Sequence, residues 1–317
     1  MEKSTAVKTM KTLQIHGYGG PEQLLYEKVS VPEAKEGEVL VRVYAASVNP
    51  IDYKLASGVF RDFMPSQFPW TPGGDFSGVI ESVGDGVAGF KEGDAVYGDT
   101  PHGGSYAEFV AVKASVTALK PKRLTFLEAA SVPVAGQTAW QALFDYGHLE
   151  AGQTVLIHGA SGGVGTFAVQ LAHWKGGKVV ATGSAENEEY LRSLGADQVI
   201  LYEKTPFESM VKEVDLVLDL IGGDTLKRSI EVVKPGGALI STVQPPPEEL
   251  VSRRKVRALM MRMKPSAENL MQLKELIDSD KIRTVVTRIY PLSQARVAWS
   301  ESLTGHTRGK AVLEVMY

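Results

Sequence analysis

Residues Thr154–Ala172 read Thr-Val-Leu-Ile-His-Gly-Ala-Ser-Gly-Gly-Val-Gly-Thr-Phe-Ala-Val-Gln-Leu-Ala. An apolar run enters a glycine-rich turn, and an amphipathic helix leaves it. Val164, Phe167, Ala168, Leu171 and Ala172 fall at i, i+3, i+4, i+7 and i+8, one helical face. Gly162 and Gly163 let the backbone turn tightly and come close to a pyrophosphate. Gly165 lets the helix pack closely on what precedes it. The start of the helix offers free N–H groups and the positive end of its dipole to phosphate. Ala160 stands where the first glycine of G-x-G-x-x-G would be, so the match to that pattern is imperfect. A glycine loop with only a folding role is the competing reading, and the strand-turn-helix context weighs against it. The stretch predicts a dinucleotide loop, with Ala160, Ser161, Gly162, Gly163, Val164 and Gly165 as contacts.

Beyond this stretch, strand-like and helical segments alternate. Lys178–Thr182, Gln198–Tyr202, Val214–Leu220 and Ala238–Thr242 read as buried parallel strands. Asn187–Leu194, Phe207–Lys212 and Asp224–Val233 read as helices between them, and Arg257–Met263 offers a sixth strand. Such alternation predicts a doubly wound parallel sheet of the Rossmann type. The segment before Leu127 is different: short β-prone runs at 11–16, 24–29, 38–45, 76–83, 95–98 and 105–112 are broken by Gly and Pro, as in a rolled, barrel-like sheet. After Pro265 come a helix at 267–279, a strand at 284–290, a helix at 293–302 and a last strand at 311–315. A terminal strand needs a sheet to join, so the tail is expected to return to the first domain. The expected division is 1–127 with 267–317 as one domain and 128–266 as the other.

The chain of 317 residues has no cysteine and a net charge of −3, with acids and bases mixed. Disulfides, thiolate nucleophiles and cysteine-ligated zinc are thereby excluded. No basic surface for nucleic acid is expected. No apolar run is long enough to span a bilayer. The first eight residues lack an apolar stretch behind their charges, so no secretory signal is expected. A cytoplasmic location follows as the expectation, with an internal organelle-targeting signal left open. Six histidines are scattered without cluster spacing and are read as surface or structural.

An NAD site would place Asp or Glu at the end of the second strand, about twenty residues past the loop, to bind the adenine ribose. Here that tip is Thr182-Gly183-Ser184. A carboxylate would repel a 2′-phosphate and these residues would not, which favours NADPH. No Lys or Arg follows at once; Glu186 and Asn187 do. Ser184 and Tyr202 are the candidates for the phosphate. Gly222, Thr242 and Val243 follow the fourth and fifth strands at the end where open α/β sheets bind ligands, with loop geometry as the alternative role.

Several motifs in one order then resemble the zinc-free quinone oxidoreductase branch of the medium-chain dehydrogenase/reductase superfamily. They are Ala46-Ser-Val-Asn-Pro-Ile-Asp-Tyr-Lys54, Pro72-Gly-Gly-Asp-Phe-Ser-Gly-Val-Ile80, Phe90–Tyr97, Gly104–Phe109, Val134–Ala139, the glycine loop and Gly305-His-Thr-Arg-Gly-Lys-Ala-Val-Leu-Glu314. Lys264–Leu270 is most similar to the chloroplast-envelope-type homologues. The resemblance implies an α/β protein with a GroES-like catalytic domain from both chain ends, an inserted Rossmann domain, a cofactor cleft between domains, and a homodimer.

The resemblance also places Asn49 where zinc relatives carry their first metal ligand and Gly73-Gly74-Asp75 where they carry Gly-His-Glu. No metal is therefore expected. Without a Lewis acid the substrate must bring its own electrophilicity, as quinones and α,β-unsaturated carbonyls do. Asn49 is implied near the nicotinamide ribose and Tyr53 near the substrate, where its hydroxyl could donate a proton in competition with solvent. Asn49-Pro50 read alone is a turn, and Tyr53 read alone is a packing tyrosine on a β-rich segment. Thr138 is implied at the cofactor, with N-capping of a helix at 139–144 as its other role. Two alternatives remain at this point: a non-catalytic NADPH-binding relative with a structural, RNA- or membrane-associated role, and an enoyl-thioester reductase using Arg253-Arg254-Lys255 to meet a carrier.

Overall fold

The computed structural model describes residues 8–316; the first seven residues, with most of the segment read for a secretory signal, lie outside them. Strands β1 (Thr9–Gln14) and β2 (Leu25–Ser30) pair antiparallel. The long β3 (Glu38–Ser47) runs into helix α1 (Pro50–Ala56), and β4 (Asp75–Val83), β5 (Ala95–Asp99), β6 (Phe109–Lys113) and β7 (Thr117–Leu119) follow. Helix α2 (Phe126–Ala130) starts at a Thr125–Glu128 capping box, in which each side chain meets the other's backbone N–H. Helix α3 (Pro133–Trp140) continues directly into a π-helical segment, Gln141–Tyr146.

Next come β8 (Thr154–His158), α4 (Gly163–Trp174), β9 (Lys178–Gly183), α5 (Glu188–Ser193), β10 (Gln198–Leu201), β11 (Val214–Asp219), α6 (Gly223–Ile230), β12 (Val233–Ser241), α7 (Glu248–Arg254) and β13 (Arg257–Met260). Their six strands are parallel in the order β10-β9-β8-β11-β12-β13. Counted from β8 this is 3-2-1-4-5-6, the Rossmann order, with its switch point between β8 and β11. Val155–Ile157 and Leu216–Leu218 are buried, as strands covered on both faces must be. Leu156, Val180, Ile200, Val217 and Leu239 form the centre of one apolar cluster across this sheet.

Helix α8 (Ala267–Asp278), β14 (Val286–Pro291), α9 (Ala295–Ser302) and β15 (Lys310–Glu314) complete the chain. The last strand pairs antiparallel with β3, so the tail does join the first sheet, whose order is β14-β15-β3-β4-β5-β7 with β6 also on β3. The chain divides into one unit of 1–134, 265–278 and 286–317 and a second of 135–264 with 279–285. The return of 279–285 to the second unit has a local cause. Gln170 on α4 exchanges two hydrogen bonds with the Arg283 backbone, at 3.0 and 2.9 Å. That contact also buries Gln170 and Thr166, so α4 is covered more widely than its apolar face predicts.

Three local expectations change. Asn49-Pro50 opens a helix, so Tyr53 sits on α1 and not on a strand. Pro50 at the first helical position has no N–H to leave unpaired, and the Asp52 carboxylate accepts the Asn49 N–H at 2.8 Å. Thr138 lies inside α3, which already runs from Pro133, so it does not stand at a helix N-cap. The stretch 207–212 holds only a 3₁₀ turn, Phe207–Ser209.

Candidate active site

In the second unit the glycine loop takes the strand-turn-helix form. Gly159 has φ +69°, so the glycine just before Ala160 takes the left-handed turn. Ala160 is fully buried. A Cβ at Gly165 would stand 2.3 Å from the Gly159 carbonyl oxygen, so its glycine is required by the loop folded over the helix. Gly162 differs. Its φ of −77° suits any residue, and a Cβ there would meet only the Gly159 oxygen at 3.5 Å. Neither strain nor packing asks for glycine at 162. The open space beside it, at the start of a twelve-residue helix, fits a close-lying pyrophosphate. Ser161, Gly163 and Val164 are partly exposed around the same turn.

Ser184 and Tyr202 directly follow the paired strands β9 and β10. Leu201 is paired with Gly183, the Tyr202 N–H reaches the Gly183 oxygen at 3.3 Å, and the Tyr202 residue is 58% exposed. Ser184 Oγ accepts from Asn187 Nδ2 at 2.9 Å. A carboxylate is also present: Glu203 Oε2 accepts the Ala185 N–H at 3.3 Å. Thr182 is held back, since its hydroxyl bonds His158 Nδ1 at 3.0 Å, while His158 Nε2 meets Ser229 Oγ at 2.9 Å. Burial pushes the His158 pKa down to about 4, so the imidazole is neutral and structural, as expected for the histidines.

At the ends of β11 and β12 the backbone donors of three candidates are committed within the loop. The Gly222 N–H bonds the Asp219 carboxylate at 3.0 Å, the Thr242 N–H the Asp219 carbonyl at 3.1 Å, and the Val243 N–H the Ser241 hydroxyl at 3.2 Å. What they offer a ligand is side chain and carbonyl. Arg253 and Arg254 are also engaged, with Glu231 and with the Glu231 and Val233 carbonyls, so this triplet is no free basic site.

In the first unit a buried polar cluster surrounds Asn49. Asp75, at 0% exposure, accepts from Ser47 Oγ, from Asn49 Nδ2 at 2.8 Å, from Lys310 Nζ at 3.2 Å and, on its other oxygen, from the Val134 N–H at 2.7 Å. Lys310 Nζ further donates to the Val48 carbonyl at 3.0 Å and to Asn49 Oδ1. Asp52 accepts from the Tyr106 hydroxyl at 3.2 Å, which itself accepts from Trp299 Nε1 at 3.1 Å. Burial raises the Asp52 pKa to about 7, with the Asp75 charge adding and the Asn49 N–H and Lys310 opposing. Asp99 is pushed up by burial, then by Asp75 and Asp52.

Tyr53 is partly buried against the cluster that includes Leu13, Ala56 and Trp299, with its ring edge-on to Trp299 at 6.1 Å. Burial holds its phenol above the usual value, with a Ser302 hydrogen bond opposing, so it keeps its proton at neutral pH. Thr138, in the second unit, is buried at 7% exposure. Among the described residues no three His, Cys, Asp or Glu side chains are grouped to hold a metal ion. Lys310, Asp52 and Asp99 were not singled out from the sequence. The available signal was Lys310 placed directly before the apolar run Ala311–Leu313, after Gly309.

A Rossmann sheet with an open glycine loop and a GroES-like sheet built from both chain ends define a two-part dehydrogenase/reductase. Two family models match: an alcohol dehydrogenase GroES-like domain over residues 35–122 and a zinc-binding dehydrogenase domain over 194–313. A chloroplast envelope quinone oxidoreductase homolog of Arabidopsis thaliana is 36% identical, covering 98% of this chain and 99% of its own. An NADPH-dependent alkenal/one oxidoreductase of the same plant, chloroplastic, is 36% identical over 96% of this chain and 80% of its own. The quinone oxidoreductase structure from Coxiella burnetii superposes with a TM-score of 0.89 at 36% identity, covering 98% of this chain and 100% of that one. The chain belongs to the quinone oxidoreductase family of the medium-chain dehydrogenase/reductase superfamily.

The raised Asp52 pKa has a consequence for stability. The folded state holds this proton more tightly than an unfolded Asp of ordinary value near 3.8 does. Stability from this group is therefore greatest at low pH and is lost as pH rises from about 4 to about 7. Asp52→Asn keeps an oxygen for the Asn49 N–H and the Tyr106 hydroxyl. Its melting temperature should gain on the wild type as pH is raised from 5 to 8, and parallel melting curves across that range would rule the assignment out.

Proposed function

We propose that this protein is an NADPH-dependent reductase of quinones and of the conjugated C=C of α,β-unsaturated carbonyls, working without a protein-bound metal. The observation that carries the reading is the open space beside Gly162 at the N-terminus of α4, which leaves room for a pyrophosphate against the helix N–H groups. Ser161, Gly162, Gly163 and the α4 N-terminus would hold the pyrophosphate. Ser184 and Tyr202 would meet the 2′-phosphate; the Glu203 carboxylate opposes this, and its bond to the Ala185 N–H tempers the opposition. Gly222, Thr242, Val243 and Thr138 are assigned toward the nicotinamide end. Bound NADPH would supply a hydride.

The chain's own part is to orient and to protonate. Asn49 orients the ligand by hydrogen bonding. Tyr53 carries a proton on a phenol that stays neutral at physiological pH, so it is able to donate one to a reduced substrate. Neither residue polarises a simple ketone as a metal would, which is why the acceptor must be conjugated. The names of the relatives, quinone oxidoreductase and alkenal/one oxidoreductase, support this substrate class. Among the described residues no helix is long and apolar enough to cross a membrane. The cysteine-free sequence supports a reducing compartment, and a cytoplasmic location belongs to the proposal.

The decisive assay is NADPH oxidation against quinones, short enals and enones before and after exhaustive chelation. Rates should be unchanged by the chelator, and simple alcohols should not be oxidised. Tyr53→Phe should lower turnover by about 10²–10⁴-fold if the phenol is the donor; a small loss assigns the proton to solvent. Chelator-sensitive alcohol oxidation would sink the reading.

Gly162→Val should melt within a few degrees of the wild type and bind NADPH about tenfold more weakly or worse, a difference of about 1.4 kcal/mol. Gly165→Val should instead lose stability, because its side chain meets the Gly159 oxygen. Equal NADPH affinity in a folded Gly162→Val protein would count against the loop assignment. The homodimer implied by the family is checked by light scattering, which should give twice the chain's mass.

A further inference from the structure

The Asn49 side chain is buried at 3% exposure, and both ends of its amide face ions. Its oxygen receives the Lys310 ammonium and its nitrogen donates to Asp75 at 2.8 Å. An ammonium can only donate and a carboxylate can only accept, so the reverse orientation of the amide would set like against like twice. The ammonium is itself fully used, with one donor each for the Val48 carbonyl, Asn49 Oδ1 and Asp75 Oδ2. Lys310 therefore cannot swing toward a ligand without abandoning a buried partner. The amide nitrogen carries two hydrogens, and among the described residues Asp75 is the one acceptor it meets.

We infer that Lys310 and Asp75 are positioning residues, which lock the Asn49 amide as a one-way donor and leave its second Nδ2 hydrogen for an oxygen of the bound cofactor or substrate. The lock makes a selective statement about ligands. A hydroxyl or carbonyl oxygen can accept at this point, and a group that only donates is refused. The oxygen of Asn49 is already engaged by the ammonium, which fixes its direction. A fixed donor needs no reorientation when charge builds on the oxygen it meets, which is the condition for electrostatic assistance. The inference rests on the proposed reductase reading for the identity of the ligand, while the lock itself stands on the ligand-free geometry.

Two measurements on the full chain separate these parts. The first uses the Asn49 side-chain amide signals in nitrogen-15 spectra, assigned by their loss in Asn49→Ala. In the ligand-free protein the Nδ2 proton bonded to Asp75 should exchange slowly with solvent, and in the charge-neutral pair Asp75→Asn with Lys310→Met it should exchange fast. Adding NADPH or a quinone should move one of the two protons well beyond the other. Fast exchange in the wild type, or ligand-induced shifts elsewhere that leave both protons unmoved, would overturn the inference. If no signal of the protein moves with any ligand, the cofactor reading falls instead, and exchange alone judges the lock.

The second measurement is a cycle in kcat and KM. Asn49→Ala and the neutral pair should each lower kcat/KM by about 10²-fold, the scale for one fixed donor. The triple variant should be no worse than either, within about threefold, because the pair acts through Asn49. A triple variant whose losses multiply, or a folded pair variant with wild-type turnover, would show that Lys310 does not act through the amide. Should the pair variant not fold, the exchange rates of the wild-type amide decide.

Discussion

A carboxylate shut away from water must find its partners inside the protein, and Asp75 finds four of them in three parts of the chain. Ser47 and Asn49 come from the end of β3, the Val134 N–H from α3, and Lys310 from the last strand. Removing one partner of such a buried ion pair typically costs about 3–5 kcal/mol, because the other charge is left stranded. The Asp75–Lys310 contact joins positions 235 residues apart. The C-terminal strand therefore has an electrostatic as well as a hydrogen-bonding reason to return beside β3. The first unit is complete only once the whole Rossmann segment has been threaded between its two parts.

The same pair shapes the chemistry around it. Three buried carboxyls, Asp52, Asp75 and Asp99, share one buried ammonium. Burial first, and then the Asp75 charge, raises the pKa of both Asp52 and Asp99. The region is thus a reservoir of weak acids around one fixed cation. Asn49 lies on its border, at the N-cap of α1, and Tyr53 sits one turn further along. A helix of seven residues is short for holding two site residues in register. Its Asp52 cap bond and the Trp299 contact of Tyr53 tie it to the buried cluster, which supplies the rigidity that its length does not.

The second unit was the more legible in the sequence, for a physical reason. A parallel strand buried on both faces is apolar throughout, and the turn after it must be small where a ligand comes close. Both features are local, so β8, the glycine loop and α4 could be read directly from 154–172. The tail's return was legible from one constraint, that a terminal strand needs a sheet. Asn49-Pro50 read alone gives a turn, because the helix it starts is held by contacts with Tyr106 and Trp299, far along the chain. The alternative role of Thr138 as a cap falls because the helix start lies five residues earlier, at a proline in a sequence of small residues. The burial and pairing of Lys310 were not legible in the sequence. A buried lysine is recognisable only by its partners, and these come from positions 48, 49 and 75.

The two glycines of the phosphate loop show how far each kind of evidence reaches. Gly165 is explained within the protein, since any side chain there would strike the Gly159 carbonyl. Gly162 has an ordinary φ and open space beside it, so folding alone leaves it unexplained. Asn49 presents the same asymmetry in the first unit. Its oxygen and one hydrogen are accounted for by Lys310 and Asp75, while its second hydrogen has no described acceptor. The amide nitrogen is satisfied by Asp75 and still has a hydrogen to spare, which is where the proposed ligand contact falls.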